Sequence, residues 1–223
     1  FGRGLVRSSN NFGLTADIPT HPELLDWLAA EFVEQGWSIK NLSRLILASN
    51  TYRMSSAGGT ASGPHPGLAS DPQNDLFWRF DPRRLRAEEV RDTVLAVNNS
   101  LNRDAMFGPS VFELIPAEVL AGQSRPGENW GESSLEDRRR RSIYIHVKRS
   151  VQVPLLAAFD MADTDFTCTV RFATTQPTQA LTMLNSKWLN DQATVLGDYV
   201  REQCGEDGRD RVALAFGALF VVL

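Results

Sequence analysis

Only one stretch of this chain alternates clearly between apolar and polar positions, and it is short: Ser142, Ile143, Tyr144, Ile145, His146, Val147. Ile143, Ile145 and Val147 would share one face of a strand, which is the period-2 signature of a half-buried β element. A single strand cannot satisfy its own backbone, so it needs a partner, and no other segment offers one. Any sheet is therefore minor, and the order in the chain has to come from helices. The expected class is mainly α: a helical domain with one helical hairpin, long loops and at most a minor β element.

The helical periods are plain. Leu24, Leu25, Leu28 and Phe32 repeat at helical spacing after Pro22, with Thr20 and Glu23 in capping-box register. Gly36 ends that helix. Ser38 caps a second, carried by Ile39, Leu42, Leu45 and Ile46 to about Tyr52, and the two predict an antiparallel hairpin in which Leu28 and Phe32 face Leu42 and Ile46. A third helix is expected over 87–101 through Val90, Val94, Val97 and Leu101, with Asn98-Asn99 as its left-handed cap. Further helices are expected over 153–159, 178–185, 187–203 and from Arg209 onward.

Between these lie two polar stretches. Residues 55–72 are rich in Ser, Gly, Ala and Pro, a composition that buries too little apolar area to offset ordering, and they predict a loop. Residues 102–141 carry Gly, Pro and charge without a period and predict a long surface loop. The organisation expected is a lead-in and hairpin over 1–54, a flexible loop over 55–75, and a helical core with a polar loop region over 76–223. The chain starts without methionine and stops inside an apolar run, so it reads as a piece of a longer protein. That run, Val212 to Leu223, is far shorter than the roughly 20 residues of a membrane span, so none is expected in this segment.

Charge excludes one class of partner. With 27 acidic against 23 basic residues and a formal charge of −4, the chain lacks the basic balance of a general nucleic-acid binder. Arg138 to Arg141 sit among Glu132, Glu136 and Asp137, so local neutralisation is their expected fate. Cys168 and Cys204 form no CxxC and thus no haem-attachment or zinc motif. Three histidines without common spacing make no metal triad, and neither GxSxG nor HExxH occurs. No cofactor and no metal are expected in this segment.

The richest mixture of polar groups between apolar anchors runs from Arg138 to Leu189. Asp160 and Asp163, flanked by Lys148, Arg149 and Arg171, can pair with one another or form a pocket for an anionic or polyhydroxylated ligand. Thr174, Thr175 and Gln179 surround a helix start at Pro177, where free N–H groups favour anions. Trp130, set in a polar loop, is the candidate aromatic for ligand contact. These nine residues are the expected binding site. Leu155, Phe159, Phe166 and Phe172 are expected to anchor the loop on the core.

A family resemblance is carried by phrases in fixed order: FGRGLV, FG, HPELLDWLAAEF, LSRLILASNTYR, RRLRAEEVRD, GPSV, RSIYIHVKRS, FDMAD and TTQPTQALTMLN. Together they resemble the planctomycete-type domain of unknown function that sits C-terminal to a cytochrome-c-like domain in large exported proteins. The resemblance covers nearly the whole chain. It implies a periplasmic or cell-surface setting, haem in a neighbouring domain, and partners among the domains of the same polypeptide. Glycine is the residue it implies where Asn99 and Phe107 stand. The expected function is a non-catalytic accessory or binding module for polysaccharide or a partner domain. The alternative is a carbohydrate-active hydrolase using an aspartate pair, in which Asp160 and Asp163, or one of them with Glu113 or Glu118, converge at roughly 5 to 9.5 Å.

Overall fold

The structure is a computed structural model and describes residues 1–60, 63–168, 170–204 and 208–222. It is mainly helical, and the chain divides into two compact units, Phe1–Arg84 and Leu85–Leu223.

In the first unit, helix α1 (Pro22–Glu34) and helix α2 (Ile39–Ala48) form the expected hairpin. Gly36 and Trp37 both turn with positive φ, at 71° and 60°, and so reverse the chain within a few residues. Ser38 caps α2 by accepting a bond from the Asn41 N–H at 3.3 Å. The capping box expected at α1 does not form: His21 is the cap residue, and the Thr20 hydroxyl lies instead 3.4 Å from the Leu5 carbonyl. The inner face of the hairpin, with Leu28, Phe32, Leu42 and Ile46, is only half-buried.

Where a bare loop is expected over 55–75, the chain makes a two-residue antiparallel pair, β1 (Gly59–Thr60) with β2 (Gly63–Pro64), and one helical turn, α3 (Gly67–Ser70). The apolar area that the segment itself lacks comes from outside it. Trp78 lies against Gly67, where an added Cβ would sit 2.5 Å from the indole, and His65 stacks on the same ring at 4.6 Å. Phe1 packs edge-on or tilted against Tyr52, Phe77 and Phe80 at 5.3–5.9 Å between ring centres.

The second unit opens with α4 (Ala87–Val97), followed by α5 (Ala117–Ala121), α6 (Pro154–Ala158), α7 (Pro177–Asn185), α8 (Lys187–Cys204) and α9 (Gly208–Val222). Its core gathers Ala87, Ile145, Val153 and Leu156, with Ile115, Trp130, Phe159 and Met161 packed around them. Helix α4 stops at Val97, short of the expected end. Asn98 leaves the helical conformation, and Asn99 takes φ of 57°. Phe107, the other position where the resemblance implies glycine, also has positive φ, at 64°.

The expected strand over 142–147 is absent. Ser142–Tyr144 form a 3₁₀ turn, and one parallel bridge joins Ile145 to Val111. Ile145 is buried, while Ile143 and Val147 are 70% and 52% exposed, so the period-2 face does not exist. A polar tie overrides the pattern: the Asp92 carboxylate accepts both the Ser142 N–H at 2.7 Å and its hydroxyl at 2.6 Å. Among the described residues no helix is long and apolar enough to cross a membrane.

Candidate functional site

Helix α4 turns a charged residue into the core. Its buried positions are Ala87, Arg91 and Leu95 at i, i+4, i+8, followed by Val97 and Asn98, rather than the expected stripe through Val90 and Val94. Arg91 is only 1% exposed, and a guanidinium in that position must satisfy every donor. It does so. Nε and one terminal nitrogen donate to Glu113 Oε2 at 2.9 and 2.6 Å, and that same terminal nitrogen donates to the Arg138 carbonyl at 2.5 Å. The other terminal nitrogen donates to the Arg140 carbonyl and the Ser142 hydroxyl, both at 3.2 Å. These bonds engage all five N–H donors of the side chain.

The same knot fixes the basic run. Arg140, itself buried, donates to the carbonyls of Ala105, Phe107 and Pro109 and lies 4.4 Å from the Tyr144 ring centre. Arg141 lies 3.7 Å from Asp92. Part of the run is thus structural mortar rather than a phosphate-binding patch.

Beside Arg91 opens a cavity of about 930 Å³. Leu114, Ile115, Pro116, Val153, Leu155 and Leu181 give it an apolar wall, and Thr178, Thr182 and Asn185 of α7 add polar points. Trp188, at the start of α8, also lines it, with the Arg91 guanidinium 5.4 Å from its ring centre. Three further charges border it: Glu118, Lys187 and Asp191. Lys187 and Asp191 pair at 2.7 Å across one helical turn.

The nine residues expected to form a site are spread over several separate arrangements. Asp160, Thr174 and Gln179 come together. With φ of 60°, Asp160 aims its carboxylate at Thr174, accepting the N–H at 2.7 Å and the hydroxyl at 2.8 Å. Gln179 is buried, donates to the Thr174 carbonyl at 3.1 Å and accepts from the Gln176 N–H at 3.1 Å. This network braces the start of α7. Arg171 leaves it for Glu88, bonded through both terminal nitrogens at 2.9 and 3.1 Å.

Arg149 lies 3.5 Å from Asp165 on the surface, Lys148 donates to the Glu128 carbonyl, and Asp163 accepts the Asp165 N–H at 2.8 Å in an exposed turn. Thr175 is exposed. Trp130 donates to the Glu113 carbonyl at 3.0 Å and packs edge-on against Phe112 and His146, so it supports the cavity wall from behind. Of the four expected anchors, Leu155 is buried and Phe159 packs on the core, while Phe166 and Phe172 are 76% and 84% exposed. Among the described residues, no group of three His, Cys, Asp or Glu side chains could hold a metal ion. Both cysteines are free thiols.

Sequence reasoning missed Arg91, Glu113 as its partner, Leu181 and Trp188 as cavity walls. The available signal was Arg91 itself, set four residues from Ala87 and from Leu95 in an apolar stripe, a spacing that puts a charge inside.

A protein-family match covers residues 1–221, nearly the full chain: PSD1, described as "Protein of unknown function (DUF1553)". The chain belongs to this family. Among curated proteins and among solved structures, no match to it is found. The PSD1 description carries no reaction.

Proposed function

We infer that this PSD1 domain is a non-catalytic binding module that takes an apolar polypeptide segment of a partner domain into the cavity beside Arg91. The observation that carries the reading is the cavity itself. Its volume of about 930 Å³ falls within the range of ligand sites, and its wall is built from Leu114, Ile115, Pro116, Val153, Leu155 and Leu181. The buried ions that line it have spent their bonds on one another, on the Arg138 and Arg140 carbonyls and on Ser142, so a ligand gains mainly by covering apolar surface. A polysaccharide would have to rely on Thr178, Thr182, Asn185, Ser186 and the bordering charges, because the rest of the wall is apolar. Trp130, the aromatic expected to meet a ligand, already gives its N–H to the Glu113 carbonyl. For the hydrolase reading, neither Asp160 nor Asp163 lines the cavity, and Glu113 is bonded to Arg91.

The setting we propose is an exported protein, periplasmic or at the cell surface, in which a cytochrome-c-like neighbour carries the haem and supplies the partner. Support for that setting comes from the ordered phrases of the sequence. The test is an amide-shift titration of isotope-labelled protein with a blocked hexapeptide alternating leucine and glutamine, beside cellohexaose. The peptide should move amides over 113–118 and 178–191. Shifts there with cellohexaose alone, or with neither probe, would overturn the reading.

A further inference from the structure

Resting on that reading, we propose that the cavity selects a segment bearing a lysine or arginine beside its apolar residues, and that Glu118 receives the cation. The charges bordering the cavity cancel in pairs except one. Arg91 is bonded to Glu113 at 2.6 Å, and Lys187 to Asp191 at 2.7 Å. Glu118 lines the cavity, is exposed, and has no hydrogen-bond or ion-pair partner among the described residues. The border therefore carries one uncompensated negative charge.

An anionic ligand finds nothing equivalent. All five donors of Arg91 are engaged, and the Lys187 charge is already balanced by Asp191, which it meets through both carboxylate oxygens. The π-face of Trp188 is an alternative seat for a cation, but the Arg91 guanidinium already lies 5.4 Å from that ring. Glu118 stands two residues after the apolar run Leu114, Ile115, Pro116 that forms part of the wall. A long basic side chain fits that order: its methylene stem covers apolar surface while its charged head reaches the exposed carboxylate. Lysine and arginine share this chemistry, and a neutral or acidic residue at the same place lacks it.

The experiment uses the full chain and three blocked leucine-rich hexapeptides that differ at one central residue: lysine, glutamine or glutamate. Affinities are read from amide-shift titrations at low salt. The lysine peptide should bind about three- to fivefold tighter than the glutamine peptide, the gain of a rim ion pair, and the glutamate peptide should bind weakest. Salt near 1 M, where the screening length is about 3 Å, should erase most of the order. Glu118→Gln should abolish the lysine preference, and Glu118→Lys should reverse it in favour of glutamate. If the glutamine peptide binds and lysine adds nothing, the cation inference falls while the binding reading stands. A lysine preference that survives Glu118→Gln also overturns it. If no peptide binds, both fall together.

Discussion

Leu85–Leu223 holds every buried apolar side chain among the described residues, while in Phe1–Arg84 only Gly67 and Asn74 are buried. The smaller unit relies on polar clamps instead. Arg3 donates to the carbonyls of Gln73 and Asn74 and lies 3.3 Å from Asp81, Arg7 pairs with Asp75, and Arg79 pairs with Asp81 at 2.9 Å. These ions are a fifth to nearly a half exposed, where each pair contributes little and salt weakens it. Arg91 and Glu113 form the opposite case, an ion pair sealed in the larger unit at 1% and 4% exposure. The same chemistry thus serves in two settings: exposed bracing in one unit, and a buried knot in the other.

The largest effect expected is at that knot. Arg91→Met strands Glu113 and the Arg138 and Arg140 carbonyls and should cost about 3–5 kcal/mol in urea unfolding. Adding Glu113→Leu should restore much of the loss, because two matched apolar groups replace the pair. An Arg91→Met variant as stable as the parent would show that the buried pair holds no more than the exposed ones.

Next comes the apolar core. Leu156, 2% exposed, should cost about 2–5 kcal/mol on change to alanine, whereas half-buried Leu28 should cost roughly half as much or less. Equal losses would mean that the hairpin is buried as deeply as the core. Asp160→Ala should cost about 1–3 kcal/mol by removing its two bonds to Thr174. Asp163→Asn, in an exposed turn, should leave the melting temperature unchanged.

The smallest effect is a pH dependence confined to the smaller unit. Burial pushes the Asp81 carboxyl up, but the side-chain bonds from Asn74 and Arg79 and the charges of Arg79 and Arg3 outweigh it, so the carboxyl titrates below the ordinary aspartate range. With the folded value below the unfolded one, ionised Asp81 stabilises fully above the unfolded value, and that stability is lost as pH falls through the folded value. Amide protection factors over 71–81, with the intrinsic exchange rate divided out, should therefore fall at acid pH, and Asp81→Asn should flatten that fall. Protection that falls equally in the variant would detach the effect from Asp81.

Much of this architecture is legible in the sequence because helical periods are local. The hairpin, the Ser38 cap, the left-handed Asn99 and helices α6 to α9 follow from spacing and cap chemistry alone. The strand over 142–147 was misleading because Asp92, fifty residues away, outcompetes a ladder for the Ser142 N–H. The candidate site was legible only in part. Asp160, Thr174 and Gln179 do converge, yet their bonds are spent on bracing α7. Opposite charges close in sequence suggested one pocket, but Arg171 found Glu88 across 83 residues, a partner that no local pattern encodes. The cavity draws its walls from segments 113–118, 153–155 and 178–191, which only the tertiary fold brings together.

Binding in this cavity can be read from the amide shifts that the lysine hexapeptide causes in the parent chain and in Thr182→Trp, which places an indole inside the cavity. Shifts should concentrate over 113–118, 153–155 and 178–191 in the parent and be lost in a variant that stays folded. Shifts centred on 160–176 or on the α1–α2 hairpin, or shifts that persist in Thr182→Trp, would contradict binding in this cavity.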